Sequence, residues 1–291
     1  MKPSPFTYHR PSSVGEAVEL LAAHGETGKV LAGGQSLVPL MTMRLAAPEH
    51  LIDVNHILEL DTVEVDQDGV RVGALVRHSR LERDEQAYAA APLLRQGLRN
   101  VAHPTIRNRG TTLGSLVHAD PAAEMPAVLL LLGGSVELHS AGGSREVQAA
   151  DFFVGPMESA LRPDELAVAV SFRRPPPGSG SSFVEISRRH GDYAMCGVAA
   201  LVTTDGDQAI TSAKVALISV GDTPILVDVG SAVSGSGGGL DEAALREVVD
   251  SHIEPESDIH ATAEYRRHLA HVLSRRALDD ARRSRQREQV A

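Results

Sequence analysis

Leu31-Ala32-Gly33-Gly34-Gln35-Ser36-Leu37 and Arg109-Gly110-Thr111-Thr112-Leu113-Gly114-Ser115-Leu116 are the two stretches whose residue types and spacing could do chemistry. In each, small residues and a hydroxyl follow a β-like run, so that backbone N–H groups can converge with no Cβ in the way. A phosphate or pyrophosphate requires that kind of nest of donors. Taken singly, either stretch also reads as an ordinary strand-to-helix turn. Two in one chain suggest a clamp on a dinucleotide. Neither follows Gly-x-Gly-x-x-Gly with an acid about twenty residues on, and no Gly-Lys-Ser/Thr sequence occurs. A Rossmann-type site and a P-loop ATPase therefore have no support.

Other chemistry-bearing residues are sparser. His118 and Asp120 stand two apart before a proline, but two ligands do not make a zinc or iron site, and hydrogen bonding around the loop is the expected role. Cys196 lies in the apolar-flanked stretch Ala194-Met195-Cys196-Gly197-Val198 and reads as a buried structural thiol. As the only cysteine it excludes an internal disulfide, and also an iron–sulfur cluster held by this chain alone, which needs about four ligands. No Gly-x-Ser-x-Gly nucleophile motif appears, so a hydrolase reading has no anchor. The reading contains no catalytic nucleophile or base and no metal ligand.

Composition narrows the class further. The formal net charge of −10 repels phosphate backbones, and an aromatic content of 3% with no Trp leaves few stacking platforms, so a nucleic-acid partner is not expected. Met1 to Arg10 has no apolar core, and the longest apolar run, Ala127 to Leu132, is too short to span a bilayer. The expectation is a cytoplasmic protein with no membrane span. A length of 291 residues fits two domains.

The elements that must position the two loops follow from periodicity. Ser12-Ser13 before Glu16, with Val14, Ala17, Val18, Leu20 and Leu21 at helical spacing, predicts a helix over 13–24. Lys29 to Ala32 reads as a buried strand entering the first loop, Val38 to Leu45 as a helix and Leu51 to Val54 as a strand. A hairpin of Thr62–Val65 and Gly69–Gly73 follows, then helices at about 79–86 and 89–99, the second loop, and a helix opened by Asp120-Pro121. Ser135–Leu138 and Ala167–Phe172 read as strands. Pro175 to Ser182 is the clearest linker. Beyond it lie strands at Ser182–Ser187, Val198–Thr204 and Ala213–Val220, the last two joined by Asp205-Gly206-Asp207, then a Gly/Ser loop at 234–239 and helices at 241–251 and 260–284. The last helix carries Arg266, Arg267, Arg275, Arg276, Arg282, Arg283, Arg285 and Arg287, with Tyr265, Leu269, Val272, Leu273 and Leu278 as its apolar stripe. That pattern predicts an amphipathic helix with a solvated basic face.

Read together, Leu31-Ala32-Gly33-Gly34-Gln35-Ser36-Leu37-Val38-Pro39-Leu40-Met41, Arg44-Leu45-Ala46 and Pro48 to Val54 closely resemble the FAD-binding medium subunit of molybdenum hydroxylases, of the carbon monoxide dehydrogenase and xanthine dehydrogenase type. Ile106 to Thr111, Gly114-Ser115-Leu116 and His118-Ala119-Asp120-Pro121-Ala122-Ala123-Glu124 look like that family's second signature. Arg188-Arg189-x-Gly191-Asp192-Tyr193-Ala194 and Asp258 to Leu269 extend the match nearly end to end. The resemblance implies an α+β fold: a two-part FAD-binding α/β domain at 1–176, with subdomains of about 1–58 and 59–176, followed by a smaller C-terminal domain at 177–291 of antiparallel sheet packed with helices.

The resemblance also implies that Ala32, Gly33, Gly34, Gln35, Ser36 and Leu37, together with Thr111, Gly114 and Ser115, hold the FAD pyrophosphate from two sides. Glu124 is then an acid contacting the cofactor, Val101 and Leu161 line it, and Tyr193 lies near the isoalloxazine ring. The chain would take electrons from a small [2Fe-2S] subunit, fed by a large molybdopterin-binding subunit, and pass them to an external acceptor; the assembly implied is a dimer of heterotrimers. A self-sufficient flavin oxidoreductase and a flavin-free assembly subunit are the competing readings. One departure stands out: many relatives have glycine where this chain has Leu113. Either the backbone there keeps φ negative or the phosphate contact is partly remade.

Overall fold

The computed structural model describes residues 1–205, 207, 209–233 and 239–288; Gly206 of the predicted hairpin turn and 234–238 of the predicted Gly/Ser loop lie outside them. Strand β1 (Thr7–His9) leads into helix α1 (Val14–His24) through a reciprocal cap. Ser13 Oγ accepts the Glu16 N–H, and Glu16 Oε2 accepts the Ser12 N–H at 2.7 Å, which satisfies donors that a helix start leaves open. Then come β2 (Gly28–Leu31), α2 (Leu37–Met43) and β3 (His50–Asp53), and the three strands pair in parallel in the order β1-β3-β2. Ala17, Val18 and Leu21 of α1 join Ile52 of β3 in the core. The first glycine loop leaves the C-terminal end of β2.

The β4 (Val63–Val65) and β5 (Gly69–Gly73) hairpin turns on Asp66, whose carboxylate accepts the N–H groups of Asp68 and Gly69. The two helices expected next are three: α3 (His78–Arg83), α4 (Glu85–Ala90) and α5 (Pro92–Leu98). Asp84 ends one and caps another by accepting the Ala87 N–H, and Pro92, which has no N–H to give, starts the third. Two short helices, α6 (Pro104–Arg107) and α7 (Thr112–His118), flank the second loop. Asp120-Pro121 does not open the next helix. Asp120 Oδ1 accepts the Ala122 N–H in a local turn, and α8 (Glu124–Leu132) begins two residues later.

After α8 come β6 (Gly134–Ser140), β7 (Gly143–Gln148), α9 (Ala149–Phe152), a small hairpin of β8 (Phe153–Gly155) and β9 (Glu158–Ser159), and β10 (Leu166–Arg173). They build a five-stranded antiparallel sheet ordered β4-β5-β10-β6-β7, with β10 buried at its centre. The linker reading extends too far, because β11 (Ser179–Ser187) already starts within it. With β12 (Ala194–Thr204), β13 (Ile210–Ile218) and β14 (Ile225–Asp228) it forms a four-stranded antiparallel meander. Helices α10 (Gly230–Val233), α11 (Glu242–Asp250) and α12 (Ala263–Glu288) follow.

Both faces of the meander are covered. Successive side chains alternate across a strand: Phe183, Ala199, Ala216 and Ile218 join a core shared with α5 and α8, while Cys196, Val198, Ala200, Val215 and Leu217 pack with Leu269, Leu273 and Ala277 of α12. The mixed α+β architecture is therefore as expected, but the stripe on α12 differs. Leu269, Leu273 and Leu278 are buried as expected, but Tyr265 and Val272 are 44% and 45% exposed, and small residues, Ala270, Ala277 and Ala281, complete the buried face. Arg266 leaves the basic face altogether. It is buried and donates to Met195 O and Ser219 O through Nη1, and to Asp258 Oδ2 through Nη2 at 2.7 Å.

Candidate functional site

The two glycine loops, some eighty residues apart in the chain, touch backbone to backbone. A Cβ on Gly33 would stand 2.7 Å from Arg109 O and 2.8 Å from Gly110 Cα, so only glycine lets the loops close on each other. Gly34 has φ +71°, a left-handed conformation that favours glycine. Among the described residues, the backbone N–H groups of Gly33, Gly34, Gln35 and Ser36 donate to no protein acceptor. The loop Ala32–Leu37 is half-buried rather than sealed. Unspent donors at a solvent-reachable glycine turn are the chemistry of an anion nest.

A side-chain strap fixes this junction. Asn55 Nδ2 donates to Ala32 O at 2.9 Å and to Asp53 Oδ1 at 2.6 Å, while Asn55 Oδ1 accepts from Arg77 Nη2 at 2.6 Å. Arg77 Nη1 reaches Arg109 O on the second loop. Tyr8 OH donates to Asp53 Oδ2 at 2.6 Å and extends the chain of bonds to β1. Tyr8 and Asn55 hold the Asp53 carboxyl below its usual range against the opposing effect of burial, whereas burial and the nearby Arg109 charge lower the pKa of Arg77. Sequence reasoning missed Asn55 and Arg77. The signal was Asp53-Val54-Asn55 at the strand end, two short polar side chains able to turn back on the loop before it.

The second loop is built differently from the first. Thr111 is buried and bridges to Arg77, and its Oγ1 accepts the Gly114 N–H at 3.1 Å as the cap of α7. That N–H is therefore spent inside the protein and not free as the sequence suggested. Gly114 is still required, because a Cβ there would lie 2.6 Å from Thr111 Oγ1. Gly114 is exposed and Ser115 half-buried beside it. Leu113 resolves in favour of the first alternative: it sits in α7, 2% exposed, its side chain is part of the core, and its φ is not positive.

The remaining site residues form a neighbouring group. Glu124, the first residue of α8, is 8% exposed; burial and the charge of Asp120 push its carboxyl up to about 7, opposed by its own backbone N–H and by Arg107. Glu185 of β11, not foreseen, is pushed up to about 8 by burial and by Glu124, and its Oε2 is buried with no partner among the described residues. An acid inside the apolar alternation Phe183-Val184-Glu185-Ile186 was the available signal. The Tyr193 loop rests on the turn after α5, since a Cβ on Gly191 would meet His103 Nδ1 at 2.7 Å and Ala102 C at 3.0 Å. Tyr193 is 68% exposed, and desolvation, then the charges of Asp120 and Glu124, raise its phenol pKa.

Val101 is buried, its carbonyl accepting from Arg107 Nη1 at 3.0 Å, and Leu161 is half-buried against the same core. No hydrogen bond among the described residues joins either to the glycine loops. Among the described residues His118 and Asp120 gain no third ligand; burial lowers the His118 pKa. Cys196 is wholly buried, its thiol pushed up to about 12. A surface groove between α11 and α12, lined by Glu242, His271, Arg275 and Asp279, contains none of these residues.

Comparison with known proteins places this geometry. Residues 4–175 match the family described as FAD binding domain in molybdopterin dehydrogenase, and residues 181–281 the CO dehydrogenase flavoprotein C-terminal domain. The chain is 42% identical over 226 residues to the caffeine dehydrogenase subunit beta of Pseudomonas sp. strain CBB1, covering 77% of this chain and 76% of that one. It is 37% identical to the 6-hydroxypseudooxynicotine dehydrogenase complex subunit alpha of Paenarthrobacter nicotinovorans, across 97% and 96% of the two chains. Among solved structures, reconstituted CO dehydrogenase from Oligotropha carboxidovorans superposes with a TM-score of 0.91 at 36% identity, covering 98% of this chain and 100% of that chain.

Proposed function

The chain belongs to the family of FAD-binding subunits of molybdopterin dehydrogenases, and from that premise we propose that it is the electron-relay subunit of a molybdenum-containing hydroxylase or dehydrogenase. The observation that carries the reading is the interlock at Gly33, a cradle that a Cβ would fill, beside four unspent N–H donors. Those donors, from Gly33 to Ser36, suit a pyrophosphate, with Ala32 and Leu37 framing them and Thr111, Gly114 and Ser115 closing the opposite side. Bound there, FAD supplies a group that exchanges electrons singly or in pairs.

The protein's own task is to bind, orient and exclude water. Glu124 holds a proton near neutrality and can offer it as a hydrogen-bond donor to a cofactor atom. Val101 and Leu161 would line the cofactor, and the exposed Tyr193 ring is free to cover one flavin face. The single cysteine supports placing the [2Fe-2S] clusters in a small partner subunit and the molybdopterin in a large one, as a dimer of heterotrimers, with the electron pair leaving to an external acceptor. In the same reading the chain divides at about residue 176 into a FAD-binding part and a C-terminal part, and it works in the cytoplasm.

Gly33→Ala tests the cradle. A Cβ forced onto the Arg109 carbonyl should cost about 1–3 kcal/mol, or roughly ten- to a hundredfold in cofactor retention, read as the flavin-to-protein absorbance ratio. Gly15→Ala, whose Cβ would meet only Ser13 Oγ at 3.9 Å, should keep the parent ratio. Equal flavin content in both variants would remove the cradle assignment. Co-purification of molybdenum and iron with the chain tests the relay; a flavin-loaded chain that oxidises an organic substrate unaided would favour the self-sufficient enzyme instead.

A further inference from the structure

Three imidazoles from three separate elements meet at one end of the parallel sheet. They are His9 of β1, His24 at the last turn of α1 and His50 at the start of β3. One ring nitrogen from each lies within 4.8 Å of those of the other two. His9 Nε2 and His50 Nδ1 share a hydrogen bond at 2.9 Å, and the His24 and His50 rings stack with centroids 3.6 Å apart. The sheet register explains the meeting. Thr7 pairs with His50 and His9 with Ile52, so His9 and His50 project from the same face, the one α1 covers. Gly28, opposite His50 on β2, makes room for His24, since a Cβ there would touch His24 Cβ at 3.4 Å.

We propose that His9, His24 and His50 form a binding site for a divalent transition-metal cation of the zinc type, with solvent as the fourth ligand. Three imidazoles are a recognised ligand set for a four-coordinate metal that keeps one open position. At metal–nitrogen distances of about 2.0–2.1 Å, tetrahedral ligands stand about 3.3 Å apart, so His9 Nε2 and His50 Nδ1 need to part by only a few tenths of an ångström, while the His24 ring has to turn out of its stack on His50 to aim its in-plane lone pair at the same centre. The ring that donates their mutual hydrogen bond moves its proton to its other nitrogen through solvent, freeing a lone pair. Half-burial of all three leaves the fourth position open to water. The carboxyl end of α1, eleven residues long, faces the site with the negative pole of its dipole. The first glycine loop leaves the opposite end of β2, which separates this site from the cradle by the length of that strand.

The test uses the full chain stripped by a chelator and titrated with zinc chloride, and with cobalt chloride as a spectroscopic stand-in. One equivalent should bind saturably, and cobalt should give the intense visible bands of a four-coordinate site. His24→Gln and His50→Gln should each weaken binding about tenfold or more, while flavin content and the melting temperature of the metal-free chains stay at parent values. Absence of saturable binding, or unchanged affinity in both variants, would overturn the site. X-ray absorption of the zinc-loaded parent decides even where a variant misfolds. Three nitrogen neighbours at about 2.0–2.1 Å with imidazole scattering are expected; sulfur ligation or an all-oxygen shell would refute it.

Discussion

Glu124 and Glu185 face a charge problem that neither could reveal alone, since each is one acid in an apolar stretch until the fold brings them together. Glu124 ionises at about 7 when folded against an ordinary 4.5. Below the unfolded value both states keep the proton and the group costs nothing. As pH rises from about 4.5 to 7 the unfolded chain ionises first and stability falls, by about 3 kcal/mol at most, and above 7 the penalty is constant. Glu124→Gln should therefore stabilise the flavin-free chain progressively across that window, measured by denaturant unfolding at several pH values; a pH-independent difference would sink the idea. Tyr193→Ala should leave flavin content intact and change the flavin potential or its reoxidation rate, because so exposed a ring adds little to stability. At this scale the sequence was legible wherever a residue answers to its chain neighbours: Gly33, Gly34, Thr111 and Gly114 announce themselves. Asn55, Arg77 and Glu185 do not, because what gives them their roles, the two glycine loops for Asn55 and Arg77 and the Glu124 charge for Glu185, lies more than twenty residues away in the chain.

Among the elements, α12 shows what periodicity can and cannot tell. A long helix with an apolar stripe was readable, and its three leucines, Leu269, Leu273 and Leu278, are buried, but Tyr265 and Val272 face solvent while Ala270, Ala277 and Ala281 share the buried face. Leu273→Ala should cost about 2–5 kcal/mol, whereas Val272→Ala should stay within about 0.5 kcal/mol of the parent. Thermal unfolding of the pair checks which face is buried. The strap joining the glycine loops gives another test. Arg77→Met keeps the stem but removes the bonds to Asn55 and Arg109, so FAD should dissociate faster by roughly tenfold while Tm falls by only a few degrees. An unchanged off-rate would mean that the loops hold their shape without it. Five strands escaped notice for a physical reason: β1, β8, β9 and β14 have two to four residues each, too few to carry an alternation, and β7 buries only Val147.

For the whole molecule, the decisive fact is that the core does not stop near residue 176. Phe183, Ala194, Ala199, Ala216 and Ile218 share a cluster with α5 and α8, and Ser219 donates its backbone N–H to Pro121 O across the same boundary. The chain should unfold in one transition, with flavin release and loss of helix signal coinciding. Phe183→Ala should lower that single midpoint rather than split it, at a cost of about 3–5 kcal/mol. Separate midpoints in differential scanning calorimetry would argue for two autonomous parts.

Cys196 turns the same architecture into an instrument. Its thiol sits in β12 with the meander's strands on either side and α12 across one face, and it has no exposed surface. Buried at a pKa of about 12 it is inert, while in an opened chain it reverts to an ordinary thiol near 8.5 that a disulfide reagent consumes readily. The rate of its modification in native buffer therefore counts excursions of the sheet out of the folded state. Comparing that clock with and without flavin, zinc or partner subunits would report, from one native atom, how far each steadies the chain.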